Sequence, residues 1–345
     1  MRAYFIRRLL LVIPTFLGIT LAVFVIMHFV PGGPVERQIM RYQMAAMGEA
    51  GGAGGGGGAS RSVALPEEAI EEIRRYYGFD KPVHVRYVQW LGNLLKLDLG
   101  NSYVYYQPVW DVIKSRFPIS IFLGLTGFIL SYLVCVPLGV MKAIRHGSSF
   151  DFVSSFIVFL GYSVPGWALG TALLVLFGGG SYWEVFPLGG FRPYNWDYLS
   201  LWGKITAQIH HMFLPVLCYM VGSFATLTIL TKNSLMENLG QDYVRTAFAK
   251  GLTERRVIFG HALRNSLIPI ATGLGHVFSL VLAGSFLIER VFNIDGMGYL
   301  GYTSILQRDY PVALGILVIG SLLLLIGNIL SDVIYAMVDP RIRFK

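Results

Sequence analysis

Six long apolar stretches constrain the fold of this chain more than any other feature of its sequence. A helix needs about 20 mostly apolar residues to cross the hydrocarbon core of a bilayer. The chain is only 14% charged, whereas an ordinary soluble domain carries roughly 25% charged residues. The sequence therefore predicts an all-α integral membrane protein with six transmembrane helices. Their approximate ranges are Leu9–Val30, Ile119–Met141, Phe152–Phe177, Met212–Leu230, Pro269–Ile288 and Pro311–Met337.

The excess of basic residues fits the same class of protein. The formal net charge is +8, which in a soluble protein would suggest nucleic acid as a partner. No zinc-finger spacing accompanies it, and membrane proteins keep Lys and Arg in their cytoplasmic loops, so we expect no nucleic-acid partner. Cys135 and Cys218 both lie inside apolar stretches, and these two residues are too few to predict a disulfide framework or a metal site.

The distribution of Lys and Arg also predicts the orientation of the spans. With the N-terminus inside, the two short outside loops hold few basic residues, namely Arg192, Lys204, Arg290 and Arg308. The positive-inside rule therefore places both termini in the cytoplasm. The basic residues of the predicted inside segments are Arg2, Arg7, Arg8, Lys142, Arg145, Lys232, Arg245, Lys250, Arg255, Arg256, Arg264, Arg341, Arg343 and Lys345.

The predicted spans divide the chain into four parts. Residues 1–30 form the cytoplasmic N-terminus and the first span, and residues 31–118 form a segment outside the membrane. Residues 119–337 hold the other five spans, including the longest cytoplasmic loop at residues 231–268. Residues 338–345 form a cytoplasmic tail.

The outside segment is predicted to be a small helical insertion after the first span. Glycines fill residues 51–58 except for Ala53, and such a composition is typical of a flexible tether. Pro66 suits the start of a helix and Gly78 its end, and a further short helix is expected near Pro108–Arg116. The insertion is either scaffolding or a docking surface for an external partner.

The longest inside loop contains a short segment suited to contact with another protein. The residues Tyr243–Lys250 are good helix formers, and Gly251 is a natural stop. Ala247 and Gly251 are four residues apart, so a bare surface of small side chains can press against a partner, with Arg245 among the charged residues around it. From these residues alone, an ordinary amphipathic connector is an equal alternative.

Specific motifs add a family resemblance. Tyr243-Val-Arg-Thr-Ala-Phe-Ala-Lys-Gly-Leu252 and His261-Ala-Leu-Arg-Asn265 resemble the cytoplasmic-loop signature of ABC importer permeases, in the form found in B-type permeases of peptide importers. The chain departs from the general signature, because Arg245-Thr246 replaces Glu-Ala and Arg264 stands near where many permeases carry Pro. Further segments are similar to the microcin C and oligopeptide permeases of the Yej type, namely Gly179-Gly-Ser-Tyr182, Leu230-Thr-Lys-Asn-Ser234, Arg308-Asp-Tyr-Pro311 and Val338-Asp-Pro-Arg-Ile342.

The resemblance implies a type I ABC importer permease of the bacterial inner membrane that moves oligopeptides, peptide antibiotics such as microcin C included, into the cytoplasm. It implies three partners: a second, related C-type permease, ABC ATPase subunits and a periplasmic peptide-binding protein. The chain itself would be no enzyme and would bind no cofactor, because ATP and Mg²⁺ belong to the ATPase. The implied ATPase-contacting residues are Tyr243, Arg245, Thr246, Ala247, Ala249, Lys250, Gly251, Leu252, Glu254 and Arg255.

A few residues in or beside the spans are candidates for the translocation pathway. Pro165 and Gly166 interrupt the third span, and breaks of this kind often line a cavity. His276 lies within the fifth span, and a polar group at membrane depth is a functional candidate. Glu289 and Arg290 lead into a glycine-rich loop and are candidates for the outer gate.

Two other functions stay open at this point. An ion-coupled secondary peptide carrier usually shows intramembrane carboxylates or internal repeats, and this chain has few such acids, Asp332 being one. A nickel or other small-solute ABC permease is the second alternative. A membrane-embedded hydrolase is disfavoured, because the sequence contains no His-Glu-x-x-His or Gly-x-Ser-x-Gly motif.

Overall fold

The computed structural model describes residues 2–29, 33, 35–36, 39–40, 42, 44, 66–76, 78–180, 182–273 and 284–338. Within these ranges the regular structure is helical, apart from two isolated bridges. The chain forms two compact units. The first comprises Met1–Val12, Ser115–Leu300 and Gly320–Lys345, and the second comprises Ile13–Lys114 and Gly301–Ile319.

The helices are numbered here in chain order. They are α1 (Arg2–Phe29), α2 (Glu67–Tyr76), α3 (Val83–Leu95), α4 (Val109–Ile144), α5 (Ser149–Ser163), α6 (Gly166–Phe177), α7 (Leu201–Leu239), α8 (Asp242–Ala249), α9 (Glu254–Val257), α10 (Leu263–Ser266), α11 (Ile268–Thr272), α12 (Phe286–Val291), α13 (Met297–Leu306) and α14 (Tyr310–Val338). A π-helical turn, Ile258–Ala262, joins α9 to α10, and a 3-10 turn, Trp196–Tyr198, precedes α7.

Four of these helices, α1, α4, α7 and α14, contain segments long and apolar enough to cross a membrane. The pair α5 and α6 makes a fifth if it counts as one broken span. The prediction of an all-α membrane protein is therefore confirmed. The predicted fifth span, Pro269–Ile288, is described only at its ends, by α11 and α12, because residues 274–283 lie outside the described ranges.

Two of the helices are much longer than their apolar cores. α4 has 36 residues and α7 has 39, and at 1.5 Å per residue each is longer than the roughly 30 Å of a bilayer core. The short helix expected near Pro108–Arg116 is therefore not separate but forms the first turns of α4. Hydropathy locates only the part of such a helix that lipid requires to be apolar.

The third predicted span, Phe152–Phe177, is two helices rather than one. Its interruption falls at the predicted residue, Pro165, but α5 and α6 meet there at 96°. The residue before a proline is driven out of the helical region, and Val164 accordingly has the extended angles φ −98° and ψ 120°. The helix therefore ends at Ser163 and restarts at Gly166.

Each unit has its own packed interior. In the first unit, a core cluster joins α4, α7 and α12 through residues such as Leu123, Val216 and Ile288. In the second unit, the Phe24 ring of α1 contacts Tyr87 and Trp90 of α3. The helix expected after Pro66 is confirmed as α2, and Gly78 after it has φ +69°, the left-handed conformation that favours glycine at a helix end.

Candidate functional site

The predicted coupling segment is a short amphipathic helix, α8, docked against its own chain. Val244 and Ala247 are only 1% and 6% exposed, and they lie in one core cluster with Leu235 of α7 and Val257 of α9. Val140 and Ala143 of α4 belong to the same cluster. Residues three apart share a helix face, so Val244 and Ala247 give α8 one inward side.

This arrangement corrects the prediction for Ala247. The sequence placed its small side chain on the surface offered to a partner, together with Gly251. In the structure Ala247 faces the core that α8 shares with α4, α7 and α9. Its small size therefore permits a close approach within this chain rather than contact with another protein.

The end of α8 is fixed by hydrogen bonds that require a glycine. The Gly251 N–H donates to the Phe248 carbonyl at 2.9 Å, and the Leu252 N–H donates to the Ala247 carbonyl at 3.4 Å. This pair of bonds is the Schellman motif, which needs a left-handed residue after the helix, and Gly251 has φ +78°. Leu252 is half-buried against the α8 cluster, so its side chain anchors this turn.

The opposite side of α8 and the residues after it are exposed. Arg245 pairs with Asp242 at 3.6 Å, but both side chains are largely in solvent, where such a pair is worth at most about 1 kcal/mol. The Tyr243 hydroxyl donates to the Asn238 side chain at 2.8 Å. The predicted contact residues that the structure leaves exposed are Tyr243, Arg245, Thr246, Ala249, Lys250, Gly251, Glu254 and Arg255.

Phe248 is a surface residue of this site that the sequence reasoning did not select. Its side chain is 46% exposed beside the basic residues, and Tyr243 is 37% exposed. Aromatic side chains and Arg are the residue types enriched at protein interfaces. Phe248 follows Val244 by four positions, which by helical periodicity places it near the inward face, so its exposure was not readable from the sequence.

Glu289 is not placed to line a pathway, which corrects the prediction for this residue. It is 0% exposed, and its carboxylate accepts the Tyr299 N–H at 2.6 Å and the Tyr219 hydroxyl at 3.3 Å. A Cβ atom at Gly296 would lie 2.6 Å from its carboxyl carbon. Burial raises the pKa of this carboxyl, against the opposing effect of backbone N–H donors. Glu289 thus holds the glycine-rich loop in place.

The other pathway candidates remain predictions. Arg290 is exposed, and its guanidinium donates to the Tyr299 hydroxyl at 3.1 Å. His276 lies outside the described residues. Pro165 is exposed at the break between α5 and α6. Gly166 packs tightly on α7, where an added Cβ atom would lie 2.7 Å from the Cys218 carbonyl oxygen.

We expect Gly166→Ala to destabilise the protein by about 1–3 kcal/mol, the usual cost of forcing extra volume into a packed contact. The matched control is Gly161→Ala in α5, where an added Cβ atom meets nothing within 4 Å and helix propensity favours Ala. Thermal unfolding of the two purified variants in detergent measures the difference. Equal melting temperatures would contradict the close α6–α7 contact.

The comparison with known proteins agrees with this geometry. A family model described as "Binding-protein-dependent transport system inner membrane component" matches residues 135–344, which include α8 and all of the helices packed around it except the first part of α4. The chain belongs to this family. It is an inner-membrane permease subunit of an ABC transporter, which confirms the resemblance drawn from the loop motif.

Similar curated proteins cover the permease from end to end. The "Peptidoglycan transport system permease protein YejB" of Agrobacterium fabrum is 40% identical over 100% of this chain and 99% of its own length. The "Inner membrane ABC transporter permease protein YejB" of Escherichia coli O157:H7 is 41% identical over 100% of both. The "Oligopeptide transport system permease protein AppB" of Bacillus subtilis is 36% identical over 100% of both. The predicted Yej-type relationship is thus confirmed.

Proposed function

We propose that this permease moves oligopeptides from the periplasm to the cytoplasm in an ATP-driven importer, with α8 as its contact to the ATPase. The observation that carries the proposal is that α8 has one buried side and one exposed side. One side is built into the core of this chain through Val244 and Ala247, and the other presents Tyr243, Phe248 and basic residues to solvent. The names of the relatives support peptide as the solute, since they include oligopeptide and dipeptide transport systems.

The proposed assembly has three further kinds of component. The second permease is a related C-type chain, and the ATPase subunits bind ATP and Mg²⁺. A periplasmic peptide-binding protein delivers the substrate, in keeping with the family description, "binding-protein-dependent". Selection among peptides then rests largely with the delivering protein.

The proposed membrane arrangement has six spans and both termini in the cytoplasm. An ion pair between Arg8 of α1 and Asp332 of α14, with the Tyr4 hydroxyl donating to Asp332 at 3.0 Å, supports it. The beginning of the first span and the end of the last then lie together, as expected for an even number of crossings. The four long helices, the broken pair α5–α6 and the span Pro269–Ile288 expected from the sequence make six.

The core around α8 suggests how force is passed on. ATP-driven closure of the ATPase moves α8, and the ends of α4 and α7 follow because they share one packed cluster with it. Packed interiors are bistable rather than continuously deformable, so a small shift at this end favours one arrangement of the spans over another. The permease then alternates between outward-facing and inward-facing states.

Reconstitution tests the proposed function. We expect proteoliposomes containing both permeases and the ATPase to accumulate an oligopeptide only when ATP is on the ATPase side and the binding protein is on the opposite side. Vesicles with this chain alone and an imposed proton gradient are the control. Accumulation in those vesicles would overturn the proposal in favour of an ion-coupled carrier, and uptake of Ni²⁺ without peptide would overturn it in favour of a nickel permease.

A further inference from the structure

Three helices of the first unit meet at one buried carboxylate, Asp151, in the first turn of α5. Its Oδ1 atom lies 2.8 Å from Lys232 Nζ of α7 and 3.1 Å from Lys142 Nζ of α4. Its Oδ2 atom lies 2.7 Å from the same Lys232 nitrogen and 3.2 Å from the Gly147 N–H. His146 Nδ1 is also 3.2 Å from Oδ2, with its ring half in solvent.

The two lysines are held differently. The Lys142 side chain is 1% exposed, and its ammonium also donates to the Asp151 carbonyl at 2.9 Å and to the Ser154 and Ser155 hydroxyls at 2.9 and 2.7 Å. The Lys232 side chain is 15% exposed, and its ammonium donates to both oxygens of the Asp151 carboxylate. Lys142 therefore ties α4 to α5 through several acceptors, whereas Lys232 ties α7 to α5 through the carboxylate.

This cluster lies on the same turns of α4 and α7 that support α8. Lys142 stands between Val140 and Ala143, and Lys232 precedes Leu235 by one helical turn; these three apolar residues belong to the α8 cluster. The two helices also touch at Gly139, where an added Cβ atom would lie 2.6 Å from the Thr231 Cβ atom. α5 has no residue in the α8 cluster, but it packs along α7, and Asp151 ties its first turn to α4 and α7 beside that cluster.

We propose that Asp151 and Lys232 are positioning residues that transmit the movement of α8 to α5. This inference rests on the proposed function and extends it, because it names the link between the ATPase-driven end and the broken helix α5–α6. Pairs of buried charges are weak contributors to stability, and in some proteins they serve to fix a specific geometry. Because one ammonium makes two short bonds to the carboxylate, this pair restrains the first turn of α5 against α7.

The central test is Lys232→Met in the reconstituted complex. This variant removes the ion pair between α7 and Asp151. Lys142 still pairs with Asp151, so the buried carboxylate keeps an opposite charge beside it. We expect about a tenfold fall in peptide imported per ATP hydrolysed, within the usual range of coupling between sites. Lys232→Arg keeps the charge and the donors and should restore most of the import per ATP.

The matched control is Lys204→Met on the same helix, whose ammonium lies 5.8 Å from the Trp196 ring and away from the cluster. It should leave import per ATP unchanged. A merely structural role for Lys232 predicts less assembled complex with normal import per ATP hydrolysed, and that result would overturn the inference. Absence of ATP-driven import by the wild-type complex would instead overturn the proposed function, so the two failures are distinguishable.

Discussion

Replacing Phe248 by Asp should abolish ATP-driven import while the permease still folds and inserts. The side chain is 46% exposed on α8, so a charge there meets water in the isolated chain and costs little. In the proposed complex the same position is covered by the ATPase. Replacing the buried ring by a desolvated carboxylate should weaken the contact by at least about 2 kcal/mol, roughly thirtyfold, as for an interface hot spot.

Copurification of the ATPase with the Phe248→Asp permease measures this loss directly, alongside peptide import into vesicles. Phe248→Tyr keeps the ring and should retain both. Tyr198→Asp is the matched control for adding a charge at an exposed aromatic, because Tyr198 is 92% exposed in the turn before α7. If the Phe248→Asp chain recovers as much ATPase as the wild type and imports peptide normally, α8 is not the contact.

The membrane class and four of the spans could be predicted from the sequence, because lipid requires a long apolar run wherever a helix crosses it. The break at Pro165 was also visible, since its cause lies in neighbouring residues. The size of the bend could not be predicted, because the 96° angle between α5 and α6 also depends on what each helix packs against. Gly166 against the Cys218 carbonyl is one such contact, and the two residues are far apart in the chain.

The candidate site shows the same division between local and tertiary information. The extent of α8 and its end at Gly251 follow from helix formers and a left-handed glycine, which are local signals. Which side of α8 turns inward depended on α4, α7 and α9, so Ala247 was assigned to the wrong surface. Glu289 was misplaced for a similar reason, because one of its partners, Tyr219, is 70 residues away.

Gly251→Trp is expected to remove most of the transport while leaving the fold of the permease nearly unchanged. The glycine has φ +78° and is exposed, and an added Cβ atom meets nothing within 4 Å, so a side chain at this position starts in open space. The left-handed backbone costs a non-glycine residue about 1–2 kcal/mol, which is small beside the roughly 5–15 kcal/mol stability of a folded domain. Folding and membrane insertion should therefore persist.

Import should nevertheless fall at least about thirtyfold, because the indole stands between the end of α8 and the surface that must close on it. Gly251→Ala carries most of the backbone strain without the bulk, and Gly251→Asn tolerates the left-handed conformation, so both should retain import. Gly78→Trp repeats the strain at an equivalent helix end, with φ +69° and open space around an added Cβ atom, and measures what this strain alone costs in yield of inserted permease. Equal import by Gly251→Trp and Gly251→Asn would show that nothing closes against this end of α8. Equal losses of import in Gly251→Ala and Gly251→Trp would assign the effect to backbone strain instead of the bulk of the ring.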